Sequence, residues 1–428
     1  MPGPLNRRKF ISQTAVGGAA AGLVISAKSA ASEAPSDKLV VAVMGLSRGS
    51  SLARTFAQQP GVNLKYVCDV DTQRLAGCAK GLEEDIGEAP QTATDFRRIL
   101  DDKSVDVFVC AAPNHWHGPA TILACQAGKH VYVEKPCSHN PREGELMAIA
   151  AARHSRAVQV GTQRRSGPVW QTAIRTLSEG AIGRVYLVRS WYNDARGPIG
   201  TGQVAEVPAH IDYDLWQGPA PRRPYVDNLV HYKWHWRWHW GNGELGNNGV
   251  HALDFIRWGL DVDFPVRVTS SGGRYRWVDD QETPDTHTVC FEFADRRQIT
   301  WEGLSCNRHG GDFVGFYGDN GTLMVNSSGA ATVFDRADKK VVEHPAGSRG
   351  DVEHVTNLLD AIRNDTPTAL NSGIADAYKS TLLSQLGNIA QRTGRTLNCD
   401  PTNGHVLDDP EAMQLWSREY EPGWEPTV

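Results

Sequence analysis

Leu39-Val40-Val41-Ala42-Val43-Met44-Gly45-Leu46-Ser47-Arg48-Gly49-Ser50 is the stretch that decides the fold. Six apolar residues in a row suit a strand buried on both faces, and the amphipathic run Ser50–Gln58 that follows the glycine-bounded turn suits a helix. Downstream, Val62–Cys68, Val105–Ala111 and His130–Glu134 read as strands, and Pro119–Ala127 and Pro141–His154 as helices. Strands alternating with helices at this spacing build βαβ units around a parallel sheet. Right-handed crossovers then bring the strand C-termini to one edge, which is where ligands bind in such sheets.

The turn after the first strand suits a dinucleotide. Gly45 lacks a Cβ that would block a pyrophosphate, and Ser47 and Arg48 lead into a helix whose N-terminus faces negative charge. Ser47 stands where a second glycine is usual and the spacing is shortened, so simple structural punctuation is the competing reading. The second strand ends at Asp69, a carboxylate placed to accept from ribose hydroxyls and to repel a 2′-phosphate, which favours NAD over NADP. Two more polar segments fall at strand ends: Pro113-Asn114-His115-Trp116-His117 and Glu134-Lys135-Pro136. A lysine following a buried strand on the binding edge is desolvated, which lowers its pKa and suits it to a reacting oxygen.

After Val158–Gly161 the pattern changes. Arg184–Tyr192, Arg267–Ser271, Thr286–Phe293, Gln298–Leu304, Phe313–Tyr317, Gly321–Val325 and Thr332–Phe334 are strand-like, mostly with short links, so a largely antiparallel sheet is expected. Val169–Glu179, Asp351–Asn364 and Ile374–Arg392 read as helices. The fold class is α/β: a Rossmann domain over residues 37–160, then a second α/β domain over 161–345 with a large, mostly antiparallel open-faced sheet, to which the family resemblance given below assigns substrate binding and oligomerisation. Helices over 346–400 pack back on both, and 401–428 forms an extended tail.

The densest chemistry lies between Tyr232 and Asp254. Trp234, Trp236, Trp238 and Trp240 alternate with His235, Arg237 and His239, and in an extended segment alternation puts the rings on one face and the cations on the other. An aromatic sugar platform and a tryptophan-rich core are the two readings. Trp236, His235 and Asn248 are the substrate-binding candidates here. Asn247 and His251 share a helix face. No carboxylate cluster accompanies the histidines, so no metal is expected.

The order of glycine-rich turn, acidic strand end, Pro-Asn-x-x-His and Glu-Lys-Pro resembles the Gfo/Idh/MocA oxidoreductase family over roughly Leu39 to Arg395. The resemblance implies that Lys135 is catalytic, that the Lys135–Pro136 bond is cis, that Asn114 and His117 line the nicotinamide ribose, and that Glu134 helps hold the cofactor. It also aligns His251 with a catalytic histidine that takes the hydroxyl proton, with Asn247 where an acid is usual; Glu244 is the alternative carboxylate. Arg165 and Tyr192 fall where relatives contact substrate, and the open sheet face implies a homo-oligomer. The implied reaction is oxidation or reduction of a secondary hydroxyl of a sugar or cyclitol. A redox-neutral cycle through a transient keto sugar (elimination, hydrolysis or epimerisation) and a non-catalytic sensor are the alternatives.

With 44 basic against 49 acidic residues and no basic stretch, nothing suits a nucleic-acid groove, so a small molecule is the expected partner. Arg7-Arg8-Lys9-Phe10-Ile11, a short apolar run from about Thr14 to Ile25 and small residues through Ala31 read as a Tat export signal and linker over residues 1–36. That run is too short to span a bilayer, so the mature chain is expected in the periplasm without stable membrane insertion. The eight cysteines show no paired spacing, and no disulfide is expected.

Overall fold

A computed structural model describes residues 38–428; the twin-arginine segment lies outside the described residues. The first sheet is built from β1 (Leu39–Met44), β2 (Val62–Cys68), β3 (Gln91–Ala93), β4 (Val107–Cys110), β5 (His130–Val133) and β6 (Val158–Val160), ordered β3-β2-β1-β4-β5-β6 and parallel throughout. Its crossovers are α1 (Arg48–Ala57), α2 (Thr72–Ile86), α3 (Arg97–Asp101), α4 (Asn114–Gln126) and α5 (Pro141–Arg153). Val41 and Val43 face one layer of helices, and Ala42 and Met44 the other, which is why β1 carries no polar side chain. The order reverses beside β1, so the C-terminal ends of β1 and β4 diverge around a crevice.

α6 (Pro168–Ser178) leads into the second sheet through β7 (Val185–Ala195). A long arm follows, containing the short helix α7 (Tyr213–Gln217), and then α8 (Val250–Leu260). The remaining strands are β8 (Arg267–Gly273), β9 (Thr286–Glu292), β10 (Gln298–Leu304), β11 (Cys306–Asn307), β12 (Val314–Gly318), β13 (Gly321–Val325), β14 (Ala331–Asp335) and β15 (Lys340–His344). After α9 (Asp351–Arg363) and α10 (Ile374–Thr393) come β16 (Leu397–Asn398) and α11 (Pro410–Gln414). The sheet runs β15-β14-β13-β12-β7-β10-β9-β8-β16, with β11 paired to β7, and only the β7–β10 pair is parallel. The expected mostly antiparallel sheet is therefore present. Arg296, at φ 64°, makes the tight turn between β9 and β10.

α10 ties the two sheets together. Leu383, Leu386 and Ile389 pack into the core of the second sheet, whereas Ile374 and Ala377 join the core under the first. The final segment, residues 401–428, packs against the first domain and the arm. Trp424 stacks edge-on against Trp116 at 5.1 Å, Arg97 lies 5.2 Å above the Trp424 ring, and Gln126 donates to the Thr427 carbonyl at 2.7 Å. The cause is apolar: Trp424 and Val428 complete the core around α4.

Candidate active site

A crevice with a volume of about 400 Å³ lies along the C-terminal edge of the first sheet and under the arm between β7 and α8. Gly45, Ser47, Arg48, Asp69, Pro113, Asn114, His117, Glu134 and Lys135 all line it, as do His235, Asn247 and His251. At Gly45 the backbone adopts φ 85°, and a Cβ would fall 2.5 Å from the Ala112 nitrogen, so no other residue fits. The Leu46 amide donates to Asp69 Oδ2 at 2.8 Å and the Asp71 amide to Oδ1 at 3.0 Å, which fixes the Asp69 carboxylate beside the turn. No side chain caps α1 at Ser47, so the first amides of that helix are left for an anion. These are the requirements of a dinucleotide, and the cradle meets them.

Arg48 spans this turn, its Nε donating to Glu134 at 3.1 Å while its other arm is paired with Asp351. His117 is buried with Nδ1 2.6 Å from the Pro136 carbonyl and Nε2 2.7 Å from that of Ala112, which ties the ends of β4 and β5 together. The Lys135–Pro136 bond is cis.

Lys135 reaches from the first sheet to the turn before α8. Its Nζ donates to the Asn247 carbonyl at 2.8 Å and to Asn247 Oδ1 at 3.1 Å. Leu245–Gly249 is a single wide π-turn rather than the start of a regular helix, and it leaves the Asn247 carbonyl to Lys135. Burial pushes the Lys135 ammonium below its ordinary value, with Glu134 and Glu244 opposing. His251 is held well below its ordinary value by burial and then by the Lys135 charge, so its ring is neutral at neutral pH. Glu244 does not meet Lys135: it pairs with Arg196 at 2.8 Å and accepts from the Asn248 amide, away from the crevice wall. Asn248 is thereby drawn off the crevice too.

Three more expectations need correction. Arg165 is buried between Asp254, at 2.8 Å, and Asp376, also at 2.8 Å, in an ion-pair cluster that anchors α8 to α10. Its charge is spent on these carboxylates, and Gln163 reaches the crevice instead. Tyr192 accepts from Arg196 at 2.9 Å and donates to Asp194 at 3.3 Å, off the crevice wall. The tryptophan-rich stretch is not extended: Lys233–Trp236 forms a 3-10 turn, so the rings scatter instead of lining one face. Trp234 stacks on His235 at 3.6 Å and lines the crevice, whereas Trp236 is buried with the Arg196 guanidinium 5.0 Å away. Trp240 packs against Trp216 at 4.8 Å, and Arg392 lies over Trp238 at 5.1 Å.

The arm supplies the lining that sequence reading missed. Leu215, Trp216, His231 and Tyr232 roof the crevice. The Trp216 carbonyl lies 2.9 Å from His115 Nε2 and accepts from Trp116 Nε1 at 3.1 Å, while His231 Nε2 pairs with Asp71 at 2.8 Å. Arg349 and Asp351, at the start of α9, close the far side. Among the described residues no group of histidines, cysteines and carboxylates is arranged to hold a metal, and no helix is long and apolar enough to cross a membrane.

Residues 39–162 match the sequence profile of the oxidoreductase family's NAD-binding Rossmann fold, and residues 197–425 that of its C-terminal alpha/beta domain. Levoglucosan dehydrogenase of Pseudarthrobacter phenanthrenivorans is 30% identical over 134 residues, covering 28% of this chain and 34% of its own length. Inositol 2-dehydrogenase 4 of Saccharopolyspora erythraea is 31% identical over 157 residues, covering 36% and 45%. The match thus spans between a third and a half of these curated relatives. A solved levoglucosan dehydrogenase, in complex with NADH and levoglucosan, superposes with a TM-score of 0.66 at 20% identity, covering 84% of this chain and 99% of that one, which establishes a shared fold. Both domains match, and together with the dinucleotide cradle they place the chain in the Gfo/Idh/MocA oxidoreductase family.

Proposed function

We propose that this chain is an NAD-dependent dehydrogenase acting on a secondary hydroxyl of a sugar or cyclitol. The observation that carries the reading is the meeting of Lys135 from the first sheet with the Asn247–His251 turn of α8 in one crevice. Gly45, Ser47 and the amides of α1 suit the pyrophosphate, Asp69 the adenosine ribose, and Asn114, His117 and Glu134 the nicotinamide end. Bound there, NAD supplies a hydride acceptor. Lys135 hydrogen-bonds the reacting oxygen, and the burial that lowers its pKa eases transfer of the hydroxyl proton to it. His251, held neutral, orients the same oxygen or passes the proton onward.

The roof formed by the arm motivates a second reading, in which retained cofactor is restored within each turnover and no net redox occurs. The two are separated by stoichiometry: NADH accumulation with a sugar supports the dehydrogenase, whereas a cleaved or epimerised product with unchanged cofactor supports the cycle. Lys135→Ala is expected to abolish turnover while NAD stays bound. Turnover that survives this substitution refutes the assignment; wild-type inactivity across a sugar panel favours a sensor. The Arg7-Arg8 motif further supports export by the Tat route to the periplasm, with cofactor loaded before export. The open face of the second sheet suits a homo-oligomer.

A further inference from the structure

We propose that the arm between β7 and α8 is a strap on the dinucleotide, hinged on α4, latched at Asp71, and closed over the adenosine half so that NAD leaves only when the latch opens. This deepens the dinucleotide reading of the crevice and rests on it, but on none of the substrate chemistry.

The two attachments of the arm differ in kind. On the α4 side the contact is aromatic and close. Gly218, at φ 48°, lies so near the Trp116 ring that a Cβ there would fall 1.9 Å from Cζ2. The Trp216 and Trp240 rings pack against His115 at 5.3 and 5.1 Å, and Leu215 reaches the core under the first sheet. Burial of these groups holds this side in place.

On the β2 side the contact is almost wholly polar. The Asp212 amide donates to the Val70 carbonyl at 3.0 Å and the Thr72 amide to the His210 carbonyl at 2.9 Å, which makes a one-rung antiparallel bridge between Ile211 and Asp71. His231 Nε2 lies 2.8 Å from the buried Asp71 carboxylate. The apolar cluster of the arm is its own: Tyr213, Trp216, Tyr225, Leu229, Trp234 and Trp240 belong to it, and Val70 joins them from the first domain. Opening on this side therefore exposes little apolar surface, and water replaces the hydrogen bonds that are lost, which keeps the cost of local opening low.

The latch sits beside the ribose carboxylate. Asp69 Oδ1 accepts from the Asp71 amide at 3.0 Å, while Asp71 Oδ1 caps α2 through the Gln73 and Arg74 amides. One turn thus holds both the acceptor suited to the cofactor and the pin of the arm. Asp69, Arg74 and Phe96 line the crevice on the sheet side, and Leu215, Trp216 and His231 line it on the arm side. An adenosine between them touches both walls, and its contacts favour the closed strap.

The test uses the full chain loaded with NAD. Release is read by chasing labelled NAD with unlabelled NAD, and entry from the fluorescence of the crevice tryptophans. Thr72→Pro removes the amide donor of the bridge and the hydroxyl beside it, at a position off the crevice wall. As the first residue of α2, after an extended Asp71, it accepts proline. His231→Ala removes the side-chain pin. Release is expected to quicken about fivefold in T72P and about ten- to a hundredfold in H231A, the scale of one neutral and one charge-assisted hydrogen bond. Entry should quicken with it, so Kd moves less than the release rate in T72P. In the unmutated chain, saturating NAD should slow hydrogen exchange of the Thr72 and Asp212 amides about tenfold or more. The strap is overturned if T72P releases NAD at the wild-type rate, or if its Kd rises as much as its release rate, which marks a lost contact and not a latch. Exchange of the two amides unchanged by NAD overturns it equally. A wild-type chain that binds no NAD would sink the dinucleotide reading and the strap with it; NAD bound normally but unaffected by both variants sinks the strap alone.

Discussion

Asn247→Asp tests how the amide sets the chemistry of Lys135. The substitution places a carboxylate oxygen about where Oδ1 now lies, 3.1 Å from Nζ. At an effective dielectric of about 20, unit charges at that separation attract by roughly 5 kcal/mol. Desolvation of the new carboxylate takes back part of this, and opposite charges this close shift a pKa by about 1–3 units. The sign follows from the direction in the native chain: burial lowers the Lys135 pKa, which favours the neutral amine, and an aspartate raises it, which favours the ammonium. The acid limb of kcat/KM for hydroxyl oxidation should therefore move to higher pH by about 1–3 units, with activity below the limb falling about tenfold per unit. The assay is a pH profile at saturating NAD, with cofactor affinity measured alongside. Asn247→Ala removes only the 3.1 Å contact and keeps the main-chain bond at 2.8 Å, so its limb should move little. A limb unmoved in Asn247→Asp, with cofactor still bound, refutes Lys135 as the proton acceptor.

Two further outcomes concern stability. Glu143 is fully buried, accepts from Tyr420 at 2.9 Å and from the His139 amide at 2.9 Å, and burial raises it to about 7. Because its folded value lies above the unfolded one, stability is lost as pH rises from about 4.5 towards 7; Glu143→Gln should raise the melting temperature at pH 8 by the equivalent of about 3 kcal/mol and do nothing at pH 4. No pH-dependent difference between the two melting curves would contradict this. Arg165→Leu leaves Asp254 buried without its partner and should cost roughly 3–5 kcal/mol in denaturant unfolding; a loss confined to substrate KM would instead return Arg165 to the site.

What the sequence revealed about the crevice was local. Gly45, Asp69, Asn114 and Lys135 each follow a strand by a residue or a few, and an apolar run fixes where a strand ends and so where the next side chain sits. The roof was hidden because Trp216 and His231 reach the crevice through contacts with Trp116 and Asp71, and no spacing encodes such long-range pairs. Arg165 misled for the same reason: its two carboxylates lie far along the chain. The tryptophan alternation failed because a 3-10 turn has a period near three, and alternation sorts faces only at a period of two. The π-turn at Asn247 carries no sequence mark at all.

The contact between Trp116 and Trp424 bears on the order in which the molecule assembles. Trp116 forms part of the nucleotide crevice, yet the ring it rests against lies far along the chain, as does Glu421, whose amide donates to the Pro219 carbonyl of the arm at 3.0 Å. The first sheet can form early, from neighbours in the chain, but its ligand edge is finished only when the far end folds back upon it. Cofactor capture thus depends on a contact made across most of the described chain, and a chain cut before Tyr420 would hold a Rossmann sheet with a poorly walled groove.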